Sequence, residues 1–200
     1  IICFGHSLGS IINLNFALKY PNQVNALACW NSGIETGLLP KASRIILAIE
    51  GFFRNQNLPS LIAWKLSFEA WNSKFKPNRT KFDWLSRDEN EVNLYVNDPY
   101  CGFEVSISMW RDVLDGVFYA GNKKILQKLP KELPLHIIGG AEDPCTLNGG
   151  DMEKLATKLQ NSGLSDVTCK ILEGTRHESL NEINRDQTTK QFIKWLEERF

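Results

Sequence analysis

Ile1-Ile2-Cys3-Phe4-Gly5-His6-Ser7-Leu8-Gly9-Ser10 is the stretch whose reading decides the fold. Its first four residues form a short, continuous apolar run, the pattern of a strand covered on both faces in a parallel sheet. Gly5, Ser7 and Gly9 then follow at the spacing G-x-S-x-G, a sharp turn from strand to helix that lifts a serine hydroxyl clear of the backbone. Glycines suit such a turn because the serine takes strained dihedrals and neighbouring side chains would crowd it. A helix is expected over 10–20, with Ile11, Leu14, Phe16, Ala17 and Leu18 on one broad face and Pro21 ending it. Residues 24–30 read as a second strand. The opening is therefore a βαβ unit, which closes with a right-handed crossover.

The same alternation returns at the other end. Residues 133–139 read as strand, 151–160 as helix, 167–172 as strand, and 185–199 as a helix with Thr189, Phe192, Ile193 and Leu196 on one side. Asn184 and Gln187 have the spacing of a capping box at its start. Strands alternating with helices predict a mostly parallel sheet covered by helices on both faces. Residues 33–111 differ: they lack strand-like runs and carry Trp64, Phe68, Trp71, Trp84 and Trp110 in helix-like segments. An inserted helical cap is expected over 33–111, above an α/β core made of 1–32 and 112–200. Ser86 and Glu89 have capping-box spacing for one cap helix. Because the chain opens inside an apolar strand with no polar lead-in, it is expected to be the C-terminal part of a longer α/β protein.

Lysine plus arginine equals aspartate plus glutamate at 23 each. With no net field to draw phosphate backbones, nucleic acid is not an expected partner. Apolar stretches stop well short of the ~20 residues a bilayer span needs, as Glu50 shows within 45–53. Five cysteines, odd in number and without Cys-x-x-Cys spacing, fit reduced thiols and a cytoplasmic location.

A serine nucleophile needs a base, and the chain has three histidines. His6 flanks Ser7 in the turn, where successive side chains diverge, and His136 lies inside a strand. His177 alone follows a strand and occupies a loop, where parallel sheets place their sites. The base needs an anion to hold its tautomer. Asp143, just past the strand 133–139, is preferred over the competing Glu142, because Asp-Pro fixes the local backbone and the order Ser, Asp, His matches a known hydrolase arrangement. The Leu8 N–H at the start of the helix is the expected oxyanion donor.

Gly5-His6-Ser7-Leu8-Gly9, Gly139-Gly140-Ala141-Glu142-Asp143-Pro144 and Gly174-Thr175-Arg176-His177-Glu178 together resemble the bacterial lysophospholipase and monoacylglycerol lipase family of α/β-hydrolases, whose members are also described as serine aminopeptidase-like hydrolases. Phe82-Asp83-Trp84-Leu85-Ser86-Arg87-Asp88 and Asp98-Pro99-Tyr100-Cys101-Gly102-Phe103 are similar to that family's cap. The resemblance implies an α/β-hydrolase fold, a Ser7–His177–Asp143 triad, acyl transfer through Ser7, and no cofactor or metal. It implies a small-molecule ester or lipid substrate, first a lysophospholipid or monoacylglycerol, with peripheral membrane contact through the cap. A general carboxylesterase, a peptidase or thioesterase, and an inactive fragment or binding protein are the alternatives. The family's N-terminal half, with the His-Gly loop that supplies a second oxyanion donor, has no counterpart in these residues.

Overall fold

The computed structural model describes residues 1–200. Along the chain run β1 (Ile2–His6), α1 (Leu8–Lys19), β2 (Ala26–Trp30), α2 (Leu38–Phe53), α3 (Leu61–Trp64), α4 (Ala70–Asn72), α5 (Glu89–Asn97), α6 (Ile107–Ala120), α7 (Lys123–Leu126), β3 (Leu135–Gly140), α8 (Gly150–Gln160), β4 (Val167–Leu172) and α9 (Arg185–Glu197). The four strands pair in parallel in the order β1-β2-β3-β4. The expected alternation thus gives the expected parallel sheet. β2 begins at Ala26, two residues later than the apolar run suggests, because its ladder with β1 starts at the pair of Ile2 and Ala26.

Every residue of β2 and β3 is buried, as central strands must be. Their side chains alternate between two cores, the period-2 consequence of the pleat. Leu27, Cys29, Leu135 and Ile137 join Leu14, Leu18, Val117, Leu155 and Leu159 in the larger core, so α1, α6 and α8 cover that face. Ala28, Trp30, Ile138 and Leu172 form the smaller core with Phe192 of α9 on the other face. β1 has a strand neighbour on one side only, and Ile1, Ile2 and Phe4 are exposed there.

Residues 33–111 hold helices and one isolated bridge, Pro59 to Ser106. α6 runs straight through the boundary expected at 111/112 and packs on α1, where Asn15 Nδ2 donates to the Gly116 carbonyl at 3.1 Å. Both expected capping boxes fail. Asp88, not Ser86, caps α5 by accepting from Asn90 N–H, and the Ser86 hydroxyl instead donates to the Asn181 carbonyl at 2.7 Å. Asn184 makes no cap bond to α9; its amide reaches back to the Thr175 hydroxyl at 3.0 Å. On α9 the inward face is Thr188, Phe192 and Trp195, whereas Ile193 is largely exposed. No helix is long and apolar enough to cross a membrane.

His136 lies on the smaller-core face of β3, ringed by Trp30, Phe192 and Trp195. Trp30 Nε1–H donates to its Nδ1 at 3.1 Å, which requires that nitrogen to be unprotonated. Burial, with Arg199 and Lys170 adding repulsion, pushes its pKa down from 6.5 to about 4. The unfolded chain therefore binds this proton first as pH falls, and stability drops across the window from 6.5 to about 4. In melts between pH 7 and pH 4, His136→Phe is expected to give a shallower loss of Tm with acidification than the parent. Parallel slopes would assign the acid lability elsewhere.

Candidate active site

The turn after β1 places Ser7 at φ 51° and ψ −122°, a strained conformation held by its surroundings. Ser7 N–H donates to the Trp30 carbonyl at 2.9 Å, and the buried Ser10 hydroxyl ties the Gly5 and Trp30 carbonyls together at 2.7 and 2.8 Å. A side chain at Gly5 would collide with the Gly9 carbonyl oxygen at 2.2 Å, so that glycine is a steric requirement. Gly9 meets nothing within 4 Å, so crowding within this chain does not explain it. The Leu8 N–H, first in α1, donates to no protein acceptor and is one of the helix's free donors.

The three predicted side chains, contributed by loops far apart in sequence, meet in hydrogen-bonded series. His177 Nε2 is 2.9 Å from Ser7 Oγ, and His177 Nδ1 is 3.0 Å from Asp143 Oδ2. Since a carboxylate only accepts, Nδ1 carries the hydrogen and Nε2 offers its lone pair to the serine hydroxyl. Asp143 is fully buried and also accepts from Cys145 N–H and the Thr146 hydroxyl, each at 2.9 Å. Glu142, the competing carboxylate, turns away towards Arg176 at 3.9 Å with a part-exposed side chain. Burial alone would raise Asp143, yet His177, Thr146 and Cys145 outweigh it and hold the carboxyl below its usual value. Burial likewise disfavours a charged His177, but Asp143, reinforced by Glu178, outweighs that and holds its pKa above the ordinary one. Beside them the Cys145 thiol is pushed well up by burial and by Asp143, which keeps it out of the nucleophilic thiolate form.

Sequence reasoning missed three groups around His177. The His6 side chain does not diverge from the site: its Nε2–H donates to the His177 carbonyl at 2.8 Å, and the two rings meet edge to face at 4.9 Å. Burial lowers the His6 pKa, with Glu178 opposing. Trp84 lies 4.7 Å from the His177 ring, and its buried indole N–H has no acceptor.

Glu182 is the third. Fully buried, it accepts from Arg87 N–H and Arg176 N–H, each at 3.0 Å, through one oxygen, and from Arg87 Nε and Ile183 N–H at 3.1 and 3.0 Å through the other. It thereby joins the segment around Arg87 to the loop that carries His177, alongside the Glu178 N–H to Leu85 carbonyl bond at 2.7 Å. Glu182→Gln would turn amide hydrogens towards these donors and is expected to lower stability by on the order of 2–3 kcal/mol and to slow turnover. Unchanged melting and kcat would refute the strut. No local spacing announces Glu182, whose arginine partner is 95 residues away.

Two apolar cavities adjoin this cluster. One of about 360 Å³ lies among α2, α3, α4, α6 and the loop after β3, with Leu39, Ile46, Leu66, Trp71, Leu114 and Leu147 in its wall. Its wall includes Pro144 and Cys145, which follow Asp143, and Trp71, whose ring is 4.9 Å from that of Trp84. The other, about 280 Å³, begins at Leu8 and runs between α1 and α6.

Comparison with known proteins gives a consistent picture. The profile of the family described as serine aminopeptidase, S33, matches residues 1–184. Among solved structures, a thermostable carboxyl esterase from Bacillus coagulans superposes with a TM-score of 0.84 at 22% identity, over 99% of this chain and 64% of its own. A monoacylglycerol lipase from Paleococcus ferrophilus follows with TM-score 0.74 at 19% identity, over 100% of this chain and 68% of its own. A soluble variant of monoglyceride lipase from Saccharomyces cerevisiae gives 0.71 at 18%, over 98% and 61%. The chain thus spans less than two thirds of the esterase's length, and the likeness shows a shared α/β-hydrolase fold. No curated protein sequence matches significantly.

Proposed function

The chain belongs to the serine aminopeptidase S33 family of hydrolases, and from that premise we propose that it is a serine hydrolase of carboxylic esters. The observation that carries the reading is the series Ser7 Oγ, His177, Asp143, with its two links at 2.9 and 3.0 Å. In the proposed reaction Ser7 Oγ attacks the ester carbonyl carbon while its proton passes to His177 Nε2. The carbonyl oxygen becomes an oxyanion, which accepts a hydrogen bond from Leu8 N–H. On collapse, the bond to the alcohol breaks and His177 returns the proton to the leaving oxygen. Water then repeats the sequence on the acyl-enzyme, again with His177 as base. Asp143 holds the tautomer and balances the imidazolium. No step calls for a metal or cofactor.

Residues 33–111 act in this reading as a cap, and the substrate is a single-chain lipid ester, a monoacylglycerol or lysophospholipid. The apolar cavity of about 360 Å³ supports an acyl slot under that cap. Leu38, Ile45, Ile49, Phe52 and Phe53, exposed along α2, support peripheral contact with a lipid surface. Each methylene moved from water into such a slot contributes at most about 0.8 kcal/mol, or roughly fourfold per carbon before ordering losses. The specificity constant is therefore expected to rise from butyrate through laurate to palmitate monoesters of glycerol. A flat or falling series would reject the lipid reading in favour of a general carboxylesterase.

A further inference from the structure

His6 and Glu178 flank His177, and the proposed chemistry uses neither. The carbonyl of His177 can only accept, so the 2.8 Å bond to it puts the hydrogen of neutral His6 on Nε2 and leaves a lone pair on Nδ1. That lone pair stands 3.8 Å from Glu178 Oε1, and no hydrogen bond joins them. Glu178 Oε2 takes the Asn181 amide at 3.3 Å, whereas Oε1 has no donor. Two acceptors facing each other are stable together when a positive species lies between them. An ion bonded to each at about 2.0–2.1 Å would span such a gap with little movement. A histidine that donates its other N–H to a carbonyl also has the arrangement that fixes a metal-ligating tautomer. One donor atom of His177 lies within 4.8 Å of these two. The side chains of His6 and Glu178 are 21% and 25% exposed, which gives an ion access.

We propose that His6, Glu178 and His177 form a site for one borderline divalent cation of the zinc type, and that its occupancy switches the hydrolase off. Both nitrogens of His177 are committed, one to Ser7 and one to Asp143, so capture of either breaks the series. Asp143, Cys145 and His177 are also close enough to hold an ion. His177 is common to both clusters, but an ion on Asp143 would also take its oxygens from Cys145 N–H and the Thr146 hydroxyl and leave those donors unpaired, whereas His6 Nδ1 and Glu178 Oε1 have no hydrogen bond to lose.

Only the inhibitory half of this proposal rests on the serine-hydrolase reading. The test titrates zinc chloride into the protein by calorimetry while following ester turnover and labelling by a fluorophosphonate probe, with EDTA added at the end. One ion per chain is expected, with turnover and labelling falling in parallel and EDTA restoring both. Glu178→Gln and His6→Gln, each read against its own zinc-free rate, should raise the zinc concentration for half-inhibition by more than about tenfold. Cys145→Ser should leave it unchanged. Zinc sensitivity as high as the parent's in Glu178→Gln and His6→Gln, or insensitivity in Cys145→Ser, would overturn the site. If the zinc-free protein does not label, the serine-hydrolase reading fails, while calorimetric binding and its loss in Glu178→Gln still decide the ion site.

Discussion

Ser7→Ala is expected to lower ester turnover by about three powers of ten or more and to abolish fluorophosphonate labelling. The substitution removes one oxygen from a turn whose shape is set by other groups. Ser7 N–H keeps its bond to the Trp30 carbonyl, Ser10 keeps the Gly5 and Trp30 carbonyls, and Gly5 keeps the close approach to Gly9. Alanine at φ 51° bears much the same backbone strain as serine, so melting should change little. What disappears is the atom that attacks the ester, together with the donor that satisfies His177 Nε2 at 2.9 Å. Residual turnover above a tenth of the parent's, in protein of equal purity, would remove Ser7 from the nucleophile role.

Asp143→Asn is expected to lower kcat/KM by roughly four powers of ten, while Glu142→Gln stays within a few-fold of the parent. An asparagine amide hydrogen directed at His177 Nδ1 would drive the ring proton to Nε2, where it can no longer accept from Ser7. The alternative amide orientation leaves a single oxygen to serve His177, the Thr146 hydroxyl and Cys145 N–H, and so leaves buried donors unpaired. Glu142 has only a contact at 3.9 Å to Arg176, with its side chain 44% exposed, and a pair of that kind contributes little. Steady-state kinetics on both variants, with circular dichroism to establish folding, makes the comparison. A larger loss in Glu142→Gln would reverse the assignment.

Local pattern made most of the elements legible. The apolar run before Gly5, the i, i+3, i+4 stripe of α1 and the run 167–172 each encode structure over a few residues, where period and burial suffice. End effects were harder to read. Ser86 and Asn184 have the right neighbours for caps, but their polar atoms find partners in the His177 loop, at Asn181 and Thr175, and tertiary bonds outcompete local ones. The inward stripe of α9 was misplaced for the same reason: which residues face in depends on where the Trp30 and His136 surface lies.

The sequence by itself determined the alternation of strands and helices, the strand-to-helix turn at Ser7, and the order along the chain of the residues that meet there, because each of these is written in contiguous residues. Only the tertiary structure decided that Asp143 rather than Glu142 faces His177, that His6 reaches the His177 carbonyl across 171 positions, and that Glu182 joins Arg87 to the His177 loop across 95. Those contacts depend on the parallel register that brings the end of β1 beside β2 and the end of β3 beside β4. A hydrogen bond between residues so far apart follows from where the backbone is carried, and no short-range spacing records it.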